Sequence, residues 1–162
     1  MSKLIAPATV ALAALALVQC SPKPATAPEA PKTVNYGYDI AIAVSPAAAA
    51  KLMATKDGLI ITALYYGNPT TQTASLADAK DGTIHMNTDK LELEGKDQGV
   101  HMTGEGVDPV RAKSITEQKP LVLLNVYSGH DGKTDKTLTC TDFQDYVSVA
   151  QASKITIKCD VT

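Results

Sequence analysis

From Tyr38 onward the chain alternates. Tyr38, Ile40, Ile42 and Val44 are separated by Asp39, Ala41 and Ala43, the two-residue period of a strand with one buried face. Ser45-Pro46 then resets the chain. Ser is a good helix cap and Pro suits the first helical position, so a short helix is expected over 47–56. It should close near Asp57-Gly58. Residues 59–66 read Leu-Ile-Ile-Thr-Ala-Leu-Tyr-Tyr. They are apolar on both faces, as a central strand would be.

Gly67-Asn68-Pro69 ends that run, and 68–82 is polar and loop-like. Three short alternating pieces follow. Ile84 and Met86 oppose Thr83, His85 and Asn87; Leu91 and Leu93 oppose Glu92 and Glu94; Val100 and Met102 oppose His101 and Thr103. This pattern suggests a meander with one wet face. Asp108-Pro109 should start a helical turn reaching about Ser114, and 121–127 is another apolar, central strand. Residues 128–133 are expected to form a turn-rich loop, followed by a short strand over 136–140. Thr141 with Gln144 fits a capping box. Phe143, Tyr146, Val147 and Ala150 have helical spacing. Ile155, Ile157, Cys159 and Val161 alternate strictly with polar residues. The expected fold is mainly β: a β-sandwich, Ig-like or transthyretin-like, of about eight strands with two or three short helices in its connections. An α+β layered fold is the alternative.

The N-terminus follows another pattern. Lys3 supplies a positive charge, and 4–18 is uncharged and rich in Ala, Leu and Val. Fifteen helical residues at about 1.5 Å each fall short of a roughly 30 Å hydrocarbon core. The segment reads as a signal peptide over 1–19 rather than a membrane span. Leu17-Val18-Gln19-Cys20 comes next. Leu17, Val18 and Cys20 match the lipobox, and the segment resembles a bacterial lipoprotein signal; Gln19 departs from the Gly, Ala or Ser usual there. The resemblance covers residues 1–20 only. It implies that Cys20 carries diacylglycerol and an N-acyl chain, palmitate among them, and becomes the mature N-terminus. Several acyl chains give stable anchoring where one does not. Ser21 in place of Asp implies, on the same resemblance, the outer membrane facing the periplasm. Ordinary secretory cleavage after Ala14-Leu15-Ala16 is the rival reading, and it would strand Cys20 as a free thiol.

Residues 21–32 hold four prolines and no large apolar side chain, so the stretch cannot join a core. As polyproline II, twelve residues would reach on the order of 35 Å. The expected organisation is therefore signal peptide 1–19, lipidated Cys20 with a linker to residue 34, and a β-rich domain over 35–162.

Charge narrows the function classes. The chain carries a formal net charge of -2, and loss of Lys3 makes it -3. No cluster of Lys and Arg is present to condense on phosphates, so nucleic acid is not an expected partner. The chain has three cysteines. With Cys20 lipidated, Cys140 and Cys159 remain on the apolar sides of their strands, and an exported chain should join them in a disulfide. A redox-active or metal-binding pair is the rival, though the spacing is unlike Cys-x-x-Cys.

Candidate chemistry is sparse. His85-Met86 and His101-Met102 repeat a dipeptide. Neighbours on a strand face opposite ways, so both Met should point inward and both His outward. His85, Glu92, Glu94 and His101 would then share the wet face and could form a Zn or Cu site; a plain solvated face is the competing reading. Ser128, His130 and Asp131 are the right types for nucleophilic catalysis, but triads come from distant segments and a hairpin explains the cluster. Tyr65-Tyr66 could line a binding patch or finish a core edge. No cofactor is expected beyond the lipid. The expected role is a non-enzymatic, membrane-anchored binding or assembly module of the cell envelope, with an envelope protein or glycan as partner. An envelope metal-binding protein and an envelope hydrolase are the alternatives.

Overall fold

A computed structural model describes residues 34–162, which form one compact unit. The expectations for Cys20, the signal peptide and most of the linker fall outside the described residues. No described helix is long and apolar enough to cross a membrane.

The unit is a β-sandwich of two sheets. β1 (Tyr38–Val44), β4 (Gln98–Met102), β7 (Leu138–Cys140) and β9 (Ile155–Val161) form the first, in the order β4-β1-β9-β7. β2 (Gly58–Gly67), β3 (Ile84–Leu93) and β5 (Leu121–His130) form the body of the second, in the order β3-β2-β5. β6 (Lys133–Asp135) and β8 (Phe143–Tyr146) share the far side of β5. All pairings are antiparallel except β1 with β9. Three short helices lie in the connections: α1 (Pro46–Thr55), α2 (Pro109–Lys113) and α3 (Val147–Ala152).

The core lies between the sheets. Ile40 and Ile42 of β1 and Ile155 and Ile157 of β9 face Leu59, Ile61 and Ala63 of β2 and Val122, Leu124 and Val126 of β5. Met86 and Met102 point into this core, as their alternation with histidine required. α1 starts as its sequence dictates: the Ser45 hydroxyl accepts the Ala48 N–H at 3.1 Å. Asp108 caps α2 in the same manner, through the N–H groups of Val110 and Arg111.

The sheet arrangement corrects four local expectations. The pieces at 84–86 and 91–93 are one strand, β3, and β4 belongs to the other sheet, so there is no three-strand meander. β5 runs on to His130 and turns through Asp131-Gly132, both at positive φ, into β6; this is the geometry that a two-residue hairpin on a twisted ladder demands. Residues 143–146 are a strand and not the start of a helix. Pairing with β5 outcompetes the helical spacing there, and only Val147 and Ala150 keep the helix's buried face. Thr141 accordingly caps no helix; its hydroxyl accepts the Lys158 N–H at 3.0 Å.

One irregularity reorients a strand. Between Tyr65 and Tyr66 the β2·β3 register shifts, with Tyr65 opposite Asn87 and Tyr66 opposite His85. The extra residue on β3 is a bulge. Ile84 and Met86 face inward before it; after it the odd-numbered Asn87, Asp89, Leu91 and Leu93 take the inner side opposite Tyr65, Ala63, Ile61 and Leu59.

Candidate functional site

An apolar groove of about 280 Å³ lies where the chain enters the domain, walled by Val34 and Tyr36, Pro109 and Ala112 of the α2 region, Pro120, and Val147 of α3. The element junctions dictate its position. Pro109 and Pro120 cannot donate to a ladder, and both helices are too short to close over the end of the sandwich. Lys113 and Lys119 also reach its wall, and among the described residues no carboxylate does. Lys119 is held by Glu117 at 2.8 Å, which lifts its pKa. Lys113 has no ion pair among the described residues. Val110, next to groove-lining Pro109, is 71% exposed, and Val34 is 62% exposed, so the apolar surface spreads past the rim.

A polar corner lies at the β5–β6 hairpin. The buried Ser128 hydroxyl donates to Asp135, its cross-strand partner. His130 Nδ1 lies 2.6 Å from Asp57 Oδ1, and that carboxylate is only 6% exposed. The hydrogen bond and charge of Asp57 raise the His130 pKa above its ordinary value. The Ser128 hydrogen bond, then the Thr137 N–H, hold Asp135 below the usual carboxylate range. Ser128 and His130 thus serve different aspartates, and Asp131 sits in the turn. The three residues make no nucleophile–base pair.

The suggested metal set is not assembled. His85 and Glu92 lie on the outer face of the second sheet, whereas His101 lies on the outer face of the first, beside Asp39 at 2.7 Å. The two faces point to opposite sides of the sandwich. His85 pairs instead with Asp81 at 2.7 Å. That pairing and the Thr83 hydrogen bonds, the Thr83 N–H foremost, bring Asp81 down to about 2. Glu94 lies beyond the end of β3, paired with Lys96, which lowers its pKa. Among the described residues no group of three or more His, Cys, Asp or Glu could hold a metal ion. The shared wet face assumed that β3 and β4 are sheet neighbours, and they are not.

Tyr65 and Tyr66 do not form a surface patch. They are 0% and 7% exposed. Tyr65 faces between the sheets, and the Tyr66 hydroxyl, on the other side of β2, accepts from the Gln144 amide. β2 is covered on both faces, so its two tyrosines finish the interior. Cys140 and Cys159 are cross-strand partners of β7 and β9 with Cα atoms 4.0 Å apart, and their sulfurs are joined.

No family model, curated protein or solved structure matches this chain. The groove therefore has to be read from its own walls. The hydrophobic pattern gave no signal for it, because its walls come from turns and helix ends rather than from a periodic segment. The Lys113 and Lys119 positions, set among Pro109 and Pro120, were the only visible hint.

Proposed function

We propose that this chain is a lipid-anchored protein of the cell envelope, and that its β-sandwich is a non-enzymatic binding or assembly module. The observation that carries the reading is the groove at the entry of the domain. It combines an apolar floor with Lys113, which has no ion pair among the described residues, and Lys119, which pairs with Glu117, and no described carboxylate lines its wall. Its size, at the lower edge of the roughly 300–1,000 Å³ of small-molecule pockets, accommodates one or two side chains. The occupant that fits is a segment of an envelope protein carrying an apolar anchor residue beside an acidic one. Anchors of this kind in a desolvated pocket dominate interface energies, and charges at the rim steer and orient the encounter.

A photocrosslinking side chain at Val110 in the full chain, in intact membranes, tests the groove. The expected result is one discrete protein adduct that Lys113→Glu abolishes and that a probe at exposed Met53 of α1 does not form. Adducts equally abundant from both positions would refute it. The anchor is tested separately: Cys20→Ala should move the protein from the membrane fraction to the soluble fraction of the envelope.

A further inference from the structure

β3 is the longest strand at an edge of either sheet. It has ten residues, against five in β4, four in β8 and three each in β6 and β7. It pairs on one side only, with β2. The α2 region covers the start of its other side, where Arg111 donates to the His85 carbonyl at 2.9 Å. From Thr88 to Glu92 that side is open among the described residues, and a cleft of about 240 Å³ runs past Thr88, Lys90 and Leu91. A free edge of this length is a template for another strand.

The ladders fix which backbone groups point to the open edge. The Pro120 carbonyl accepts the Val147 N–H at 2.9 Å on the outer side of β5. Even-numbered residues of β5 therefore bond outward and odd-numbered ones bond to β2. The register then turns Leu59, Ile61 and Ala63 of β2 toward Leu93, Leu91 and Asp89 of β3. A Cβ added at Gly58 would run into the Leu93 carbonyl, as it must if that carbonyl points to β2. Thr88, Lys90 and Glu92 are left presenting their N–H and C=O groups to the open side, and no described residue bonds them. The side chains of Lys90 and Glu92 are exposed on the outer face, while Leu91 is half-buried on the inner one. The Lys90 ammonium donates to the Gly132 carbonyl at 2.6 Å, which leaves it further donors.

We propose that β3 pairs with β3 of a second copy of this chain, antiparallel about a two-fold axis at Leu91. In that register Lys90 faces the partner's Glu92, and Glu92 faces the partner's Lys90. Each of these pairs exchanges both backbone bonds, and its side chains carry opposite charges. Leu91 meets its own copy at the axis, in the pair type whose side chains come closest. The neighbouring registers fail on charge. Centring on Lys90, Glu92 or Asp89 sets like charges directly opposite each other, which is unfavourable. An outward lysine ordinarily guards an edge against stray strands. Here it repels them and accepts its own copy, because the two-fold brings a glutamate to it. Such a contact is isologous and closes at two copies. It lies apart from the apolar groove and does not depend on it.

The test is analytical ultracentrifugation of the full chain over rising protein concentration, in a mild nonionic detergent with micelles in large excess. A reversible dimer is expected. Lys90→Glu and Glu92→Lys should each weaken it about tenfold or more, since each sets like charges opposite at two places. An equal mixture of the two variants should associate as wild type does, because every facing pair is then opposite in charge. The Lys90→Glu, Glu92→Lys double variant should also dimerise, which shows that neither single change acts by unfolding the chain. Leu91→Cys, on oxidation, should give a disulfide between the two copies at position 91, located by mass spectrometry of proteolytic fragments. Lys113→Glu, which alters the groove, should leave the dimer unchanged. A chain that stays monomeric at every concentration overturns the proposal. So does a dimer that Lys90→Glu leaves intact, or a mixture of the two single variants that remains monomeric.

Discussion

His130 and Asp57 meet at 2.6 Å although 73 residues separate them, and the contact ties the β5–β6 hairpin to the corner between α1 and β2. Asp57 reaches that corner because Lys56, in the left-handed conformation, ends α1 and turns the chain. The pairing makes a pH-dependent contribution whose sign is fixed. A histidine with a folded pKa above its unfolded value stabilises fully below the unfolded value and loses that contribution as pH rises through the folded one. The ordinary value is 6.5, and His130 lies above it. Thermal melts of wild type and His130→Gln should therefore differ most near about pH 5 and converge by about pH 9. A gap constant across that range would show that the ion pair is not its source.

Ser45 joins two elements at once. Its hydroxyl oxygen accepts the Ala48 N–H and donates to Asp160 Oδ1 at 2.6 Å, linking α1 to β9. Ser45→Ala should cost about 1 kcal/mol in urea unfolding, as lost caps do. The Ser45 bond, ahead of the Val161 N–H, also lowers the Asp160 pKa. In the variant the Asp160 carboxyl should titrate at higher pH than in wild type, a change that carboxyl-carbon NMR reads directly.

The Cys140–Cys159 bond closes a loop with a sequence separation of 19. Chain entropy gives such a loop about 3 kcal/mol of stabilisation. A Cys140→Ser, Cys159→Ser protein should unfold at correspondingly lower urea concentration while retaining its far-ultraviolet circular dichroism. Loss of that spectrum would mean that the link is needed for the fold itself.

At Gly129 φ is +150°, and an added Cβ would lie 2.0 Å from the Lys133 carbonyl oxygen. Gly129→Ala should destabilise by about 2–3 kcal/mol, since the backbone conformation and the hairpin closure both resist a side chain. Exchange of the β6 amides should speed up first, because β6 depends on that turn for its only ladder.

What was legible in the chain follows from how local each signal is. β1, β2, β5 and β9 were visible because each carries its pattern over a run long enough to show period two or full burial. The caps at Ser45 and Asp108 were visible because a cap is a contact over two or three residues. β8 was not, because Phe143 and Tyr146 fit a helix as well as a strand until β5 is placed beside them. The in-and-out sense of β3 was hidden by a bulge that no residue type announces. The histidine pair looked closer than two separate sheets allow. The groove is a product of tertiary assembly, and period counting does not see it.

The parallel pairing of β1 with β9 has a consequence for the export proposed above. Ile40 sits beside Ile155, so the first strand of the sandwich finds a neighbour 115 positions downstream. A chain threaded from its N-terminus through a membrane pore cannot complete its first sheet while 155–161 is still inside the channel. Such long-range closure is slow by nature. The sandwich would therefore remain loose and accessible to chaperones throughout passage, and lock only after β9 is released.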